Sequence, residues 1–205
     1  MDEIERFNSV YGLVKAGSRE LLTVKHILDS LSPLGLIVRL LGGPQADKDK
    51  LSGKTTADLG SGAGLPGIPL AICLPGISFT LIEKMGKRAN FLRNTLAILG
   101  LSSQVTVEEK ELERAEPDRF DMIVFRALSP INHTLVNKIV RLLKSSQEQN
   151  GIIAAYKGRH ITAKAELTSL LPKDTVPGYT AEIISLTVPF LDEERCLAII
   201  LSGKP

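Results

Sequence analysis

The chain has no tryptophan, three tyrosines and six phenylalanines in 205 residues, which leaves little surface on which unpaired bases could stack. It has only two cysteines, Cys73 and Cys196. They lie far apart, with no metal-type spacing and no disulfide framework, so a zinc module and a stapled secreted fold are both excluded. Charge of one sign is also missing. A formal net charge of +2 does not advertise nucleic acid, and any basic surface must be local. The opening MDEIERF is acidic rather than signal-like, and no apolar run reads as a membrane span, so a soluble cytoplasmic protein is expected. Internal repeats and low-complexity tracts are absent. What remains is an ordinary globular composition, 43% hydrophobic and 23% charged, in a length suited to one α/β core.

The informative segment is TTADLGSGAGLPG, 55–67. A short β-branched and apolar run ends at Asp58 and breaks into Gly60, Gly62, Gly64 and Gly67, followed by a helix-compatible IPLAICL. Strand, glycine loop and helix bring bare backbone against a nucleotide-like ligand at the carboxyl end of a first strand. Gly62, Gly64 and Gly67 fit G-x-G-x-x-G, but the neighbours argue against a dinucleotide. Pro66 removes an N–H donor from the turn that would cradle a pyrophosphate. Asp58 adds a carboxylate where phosphate would sit. Neither feature troubles S-adenosylmethionine, whose sulfonium is cationic and whose ammonium favours a nearby acid. Glu83 closes the next apolar run, ISFTLI, about 20 residues beyond the loop, where a carboxylate accepts ribose hydroxyls. That acid serves NAD and S-adenosylmethionine alike.

The periodicity predicts an α/β order. Ile4, Phe7, Tyr11 and Val14 recur at helical spacing, and 21–31 continues as a second helix. A polar linker, 42–53, separates a helical N-terminal extension, 1–52, from a core, 53–205. The core reads as strand 55–59, helix 66–74, strand 77–82, helix 86–99 and strand 104–109. Strand 121–125, helix 130–144, strand 151–156 and helix 160–171 follow, then a closing hairpin at 180–188 and 196–201. Seven strands ending in an antiparallel pair match the mixed, Rossmann-like sheet of class I methyltransferases; a NAD-binding domain normally has six parallel strands.

The fourth strand hands over to Arg126 at the ligand edge. No Asn/Asp-Pro-Pro-aromatic motif for gripping an exocyclic amine stands there, and neither cysteine is placed for attack on a pyrimidine. Oxygen or ring-nitrogen acceptors, small molecules and protein side chains remain. His26, Asp29 and Ser30 share one helix face. Within one helical turn they cannot surround a scissile carbonyl as a hydrolytic triad does, and no Gly-x-Ser-x-Gly elbow exists. They read as a fastening of the N-terminal helices over the cleft.

RELLTVKHILDSL (19–31), DLGSGAGLPGIPLAI (58–72), KRANFL (87–92), FRAL (125–128), YKG (156–158) and DEERCLAII (192–200) together resemble the bacterial glucose-inhibited division protein B family. The resemblance runs over most of the chain. It implies methyl transfer from S-adenosylmethionine to guanine N7 in 16S ribosomal RNA. Carried over by position, it implies cofactor contacts at Gly60, Leu65, Leu112, Glu113 and Arg126, beside Asp58, Gly62, Gly64 and Glu83 from the residue reading. At Leu112–Glu113 the family usually has Ala-Glu, and Glu111 competes with Glu113. Phe125 replaces a usual serine and Glu83 a usual aspartate.

Guanine N7 bears an in-plane lone pair and no hydrogen, so it requires no general base, and no catalytic residue or metal is assigned. Lys84, Lys87, Arg88, Arg93, Lys157, Arg159 and His160 supply local charge for RNA. Modest charge and few aromatics place part of the recognition in an assembled small subunit or subparticle. A monomer is expected. A small-molecule methyltransferase, a NAD-binding oxidoreductase and a non-catalytic nucleotide-binding module stay open.

Overall fold

Residues 1–15, 17–47, 51–145, 150–170 and 179–202 are described in a computed structural model. Seven strands form the sheet, apolar runs buried on both faces at its centre and more polar, less buried runs at its two edges. They are β1 (Thr55–Leu59), β2 (Ser78–Glu83), β3 (Val105–Glu109), β4 (Met122–Arg126) and β5 (Gly151–Lys157), closed by β6 (Tyr179–Leu186) and β7 (Arg195–Ser202). The seven strands lie in the order β3-β2-β1-β4-β5-β7-β6. The first five are parallel, and β7 runs antiparallel between β5 and β6.

Alternate residues of each strand face opposite layers. Met122 and Val124 join Phe79, Leu81, Ile152 and Ile199 on one face, covered by α5 (Gly67–Cys73) and α6 (Gly86–Leu99). Ile123 and Phe125 join Ala57, Leu59, Ile153 and Ile200 on the other, under α7 (His133–Val140) and α8 (His160–Leu170). Ile4 of α1 (Asp2–Tyr11), Leu22 of α2 (Arg19–Leu22) and Ile37 and Leu41 of α4 (Leu34–Gly42) are buried in the first layer. The polar stretch expected at 42–53 brings Leu51 into the core, while 48–50 lie outside the described residues.

The N-terminal segment differs from the periodic reading. The first helix stops at Tyr11 because Gly12 turns left-handed at φ 56°. Val14 is therefore not helical; its N–H donates to Asn8 Oδ1 at 2.9 Å. The expected single helix at 21–31 is α2, a π-helical turn over Thr23–Leu28, and α3 (Asp29–Leu31). Arg19–Gly42 is long and apolar enough by length and composition to cross a bilayer, which corrects the sequence reading that no such run exists. It contributes Leu22, Ile37 and Leu41 to the core and pairs Asp29 with two arginines. Helix 130–144 shortens to α7. The Asn132 side chain caps Leu135 N–H at 2.9 Å and sets its start. Beyond Val140 the chain leaves the helix for a β-bridge between Leu143 and Phe120.

Parallel pairing brings Leu59, Glu83, Glu109, Arg126 and Lys157 to one edge of the sheet. Phe79, near the start of β2 and so at the far end of the sheet from that edge, is 2% exposed. Phe79→Ala is expected to cost about 3–5 kcal/mol, read as a lowered midpoint in urea unfolding.

Candidate functional site: a glycine loop between two recesses

The glycine loop is held from below by one carboxylate and from the side by another. Asp58 Oδ2 accepts the Ser61 hydroxyl at 2.7 Å and the Gly67 N–H at 3.0 Å. Glu83 Oε2 accepts the Gly62 N–H at 3.0 Å, and its Oε1 accepts the Met85 N–H at 2.9 Å. Gly60 N–H donates to Ile82 carbonyl at 2.8 Å. Pro66 caps the N-terminus of α5, whose Gly67 N–H goes to Asp58 and Ile68 N–H to Gly64 carbonyl. That helix end is already satisfied by the chain's own groups, which excludes a bound pyrophosphate more directly than the missing proline donor does.

Gly64 has φ +82°, and a Cβ on it would come within 2.3 Å of Ile68 Cδ1. Its job is close packing under the loop. Gly62 has φ +58°, and a Cβ there meets nothing nearer than Gly60 O at 3.8 Å, so a side chain would stand in the space above the loop.

Two recesses flank the loop and share Gly60, Arg88 and Ala127. The first, about 520 Å³, is lined by Glu83, Glu111, Leu112 and Glu113 together with Lys84, Lys110 and Lys138. The second, about 620 Å³, is lined by Gly60–Ala63, Leu65 and Tyr156, and by Lys15, Lys25, Arg88, Arg126, Lys157 and Arg195 against Asp29 alone among acids. Of the residues expected to meet a cofactor, Gly60, Gly62, Leu65 and Arg126 face the basic recess. Glu83, Leu112 and Glu113 face the first recess, where the three glutamates stand among four cations, as does the competitor Glu111. Asp58 and Gly64 line neither and act from beneath. Glu113 is exposed and paired with Lys138 at 2.6 Å.

Asp29 organises the basic recess. Its Oδ2 meets Arg126 Nη1 at 3.0 Å and its Oδ1 meets Arg195 Nε at 3.2 Å. The Tyr156 hydroxyl donates to Ser30 carbonyl at 2.7 Å. Ser30 Oγ donates to His26 carbonyl at 2.6 Å. Asp29 through its carboxylate and Ser30 through its backbone carbonyl thus fasten the N-terminal segment to β4, β5 and β7, while the His26 ring faces Lys15 carbonyl within that segment. Lys25, Tyr156 and Arg195 were not identified as site residues from sequence; Arg195 sits in the DEERCLAII block, which was the available signal. His26 Nδ1 is buried without a partner among the described residues. Burial first, and then the Arg126 charge, hold its imidazole below the usual value, so it is neutral near pH 7.

The expected RNA-facing cations divide. Arg93 is held by Glu109 at 3.1 Å and Lys157 by Glu166 at 2.6 Å. Arg88 Nη2 donates to Gly12 carbonyl at 3.0 Å. Lys84, Lys87, Arg159 and His160 have no partner among the described residues.

This sheet order, with a backbone loop pinned between strand-end acids, defines an S-adenosylmethionine-dependent class I methyltransferase. Solved structures agree on the fold. An S-adenosylmethionine-dependent O-methyltransferase from Thermotoga maritima aligns with TM-score 0.63 at 14% identity, covering 99% of this chain and 72% of that one. A variant of MtNAS in complex with S-adenosylmethionine aligns with TM-score 0.62 at 16% identity, covering 98% and 72%. The family model for rRNA small subunit methyltransferase G, GidB, matches residues 1–171. A "Ribosomal RNA small subunit methyltransferase G" from Treponema pallidum is 35% identical over 204 residues, 98% of this chain and 81% of the relative. The protein of the same name from Vibrio vulnificus is 34% identical over 203 residues, 98% and 83%. The chain belongs to the rRNA small subunit methyltransferase G family.

Burial raises the Asp58 carboxyl to about 6, against the hydrogen bonds from Ser61 and Gly67. An acid whose folded value is raised stabilises the fold when protonated, and that contribution fades as pH rises from about 4 through about 6. The stability difference between wild type and Asp58→Asn should therefore change across that window by on the order of 2–3 kcal/mol, with wild type losing ground as pH rises. A pH-independent difference in thermal unfolding would contradict it.

Proposed function

We propose that the chain transfers a methyl group from S-adenosylmethionine to N7 of a guanine in small-subunit ribosomal RNA, acting as a cytoplasmic monomer. One observation carries the reading: two recesses of different charge make-up meet at Gly60 and Ala127, one mixing three glutamates with four cations and the other setting six cations against one acid. A nucleoside with a cationic centre suits the recess bearing Glu83, Glu111 and Glu113. A polyanion suits the recess bearing six cations and one acid.

The residues fit the cofactor. Glu83 retains lone pairs after accepting two backbone donors, because a carboxylate offers about four acceptor sites. Ribose hydroxyls can use them. Gly62 presents backbone with open space above it, Gly60 lies under Leu128 Cδ1, which a Cβ there would meet at 2.7 Å, and Leu65 and Leu112 supply apolar walls. When bound, S-adenosylmethionine supplies an electrophilic methyl group on sulfur. Attack by guanine N7 forms the N–C bond as the S–C bond breaks, and the positive charge passes from sulfur to the ring. No proton leaves in that step. The protein's part is placement, within roughly 3 Å and in line.

Arg126 is fixed by Asp29 and by Lys25 carbonyl. In the proposed reaction it orders the pocket and does not transfer a proton. Lys25, Lys157 and Arg195 surround the position of the target phosphates. In A-form RNA the major groove that holds N7 is deep and narrow, so the guanine enters from a loop or unstacked strand.

Mapping N7-methylguanosine in small-subunit RNA from cells with and without the gene tests the reaction. Loss of one such mark is expected. S-adenosylhomocysteine should bind in titrations where NADH does not. Arg126→Lys keeps the charge but loses the fork that meets Asp29. It should lower kcat/KM by about tenfold or more with the pH profile unmoved. A displaced pH optimum would assign Arg126 a proton-transfer role instead.

A further inference from the structure

The turn between β6 and β7, 187–194, stands at the catalytic edge. Leu186 pairs with Arg195, and Cys196 pairs with Lys157. Glu193 receives both Lys25 and Arg195, and Arg195 also reaches Asp29. Val188 is buried at the base of the turn, and its carbonyl accepts Leu191 N–H at 3.2 Å. The turn is therefore anchored directly to the wall of the basic recess.

At its tip, Phe190 is 91% exposed, more than any other large hydrophobic side chain among the described residues. Its φ is +65°, a left-handed conformation that a bulky residue adopts only under strain. A glycine would make the same bend without strain and without an aromatic ring in water. Two separate costs thus fall on one residue, in a chain with only six phenylalanines. Folding does not explain the ring.

We propose that Phe190 is a stacking platform for an unpaired base of the RNA substrate, next to the nucleotide that enters the basic recess. This rests on the ribosomal RNA reading above. Asp192, Glu193 and Glu194 follow the ring in the turn and are exposed, so phosphate is disfavoured at the turn and a base face is the part of RNA it accepts. Phosphates have cations at hand nearby. Arg159 is exposed and without a partner among the described residues. It follows Gly158, whose carbonyl accepts Cys196 Sγ–H at 3.5 Å.

The chain contains no tryptophan, so Phe190→Trp introduces a single reporter. Its emission should be quenched by a single-stranded RNA oligonucleotide and much less by the same sequence in a duplex. Phe190→Gly should melt at the wild-type temperature or higher. Its KM for small-subunit RNA should rise about tenfold, as loss of one stacked base implies, with kcat and S-adenosylhomocysteine affinity unchanged. Absence of quenching by the single strand would overturn the proposal, as would an unchanged KM. A lowered melting temperature for Phe190→Gly would make the ring a folding element and also overturn it. A KM effect confined to intact subunits, without quenching by RNA, would mean a protein contact instead. Methyl transfer by the wild type is measured alongside. Quenching without methyl transfer would sink the ribosomal RNA reading and leave the stacking site standing; methyl transfer without quenching would do the reverse.

Discussion

Everything at the catalytic edge hangs on a glycine loop held by two strand-end carboxylates. Asp58 satisfies the first turn of α5 from below, and Glu83 draws the Gly62 N–H from the neighbouring strand. A loop with left-handed glycines at Gly60, Gly62 and Gly64 has many conformations open to it when free, and ordering it is entropically costly. Hydrogen bonds from a charged acceptor are stronger than neutral ones. Two of them, on adjacent strands whose register is set by the sheet, select one conformation. Asp58 accomplishes this at the expense of its own solvation: Oδ1 is buried without a partner among the described residues, and the raised carboxyl reflects that.

A second constraint shapes the recess above the loop. Asp29 joins a π-helical N-terminal segment to Arg126 at the end of β4 and Arg195 at the start of β7. An ion pair this buried contributes little net stability, because desolvation offsets most of the attraction, but breaking it leaves a charge unpaired. Its consequence is orientation. It holds the two guanidiniums against one side of the recess. Arg195 is also bound there by Glu193 and the Glu194 carbonyl, while Arg126 is held through Nη1 and presents the rest of its fork to a polyanion. The recess bearing the three glutamates lies on the other side of Gly60, where acids and cations are mixed. A mixed-charge recess and a mainly cationic one, a few residues of backbone apart, make room for two unlike substrates in one site.

The sequence was legible where the controlling interactions are local. Strand β1 and helix α6 have the limits their apolar and glycine patterns implied, because strand ends at Gly60 and helix end at Gly100 are set by left-handed backbone. The reading failed at Val14, where a helical period continued past a residue that had already turned the chain, and at α7, where a side-chain cap competed with an apolar run. Nor did a helical period distinguish an α from a π turn at Thr23–Leu28, since the change is one residue in the hydrogen-bond span. Aromatic scarcity suggested little stacking surface, yet a count says nothing about where a single ring stands.

By itself the sequence determined the sheet class, the glycine loop and the two acids that border it. Each depends on residues close together in the chain and on backbone preferences that hold in any context. Only the tertiary structure decided what those acids do, sending Asp58 beneath the loop and Glu83 onto its backbone. It alone brought Lys25, Arg126, Arg195 and Phe190 to one edge. These residues are separated by up to 170 positions (Lys25 to Arg195). Their meeting follows from strand order and register, which no local pattern encodes.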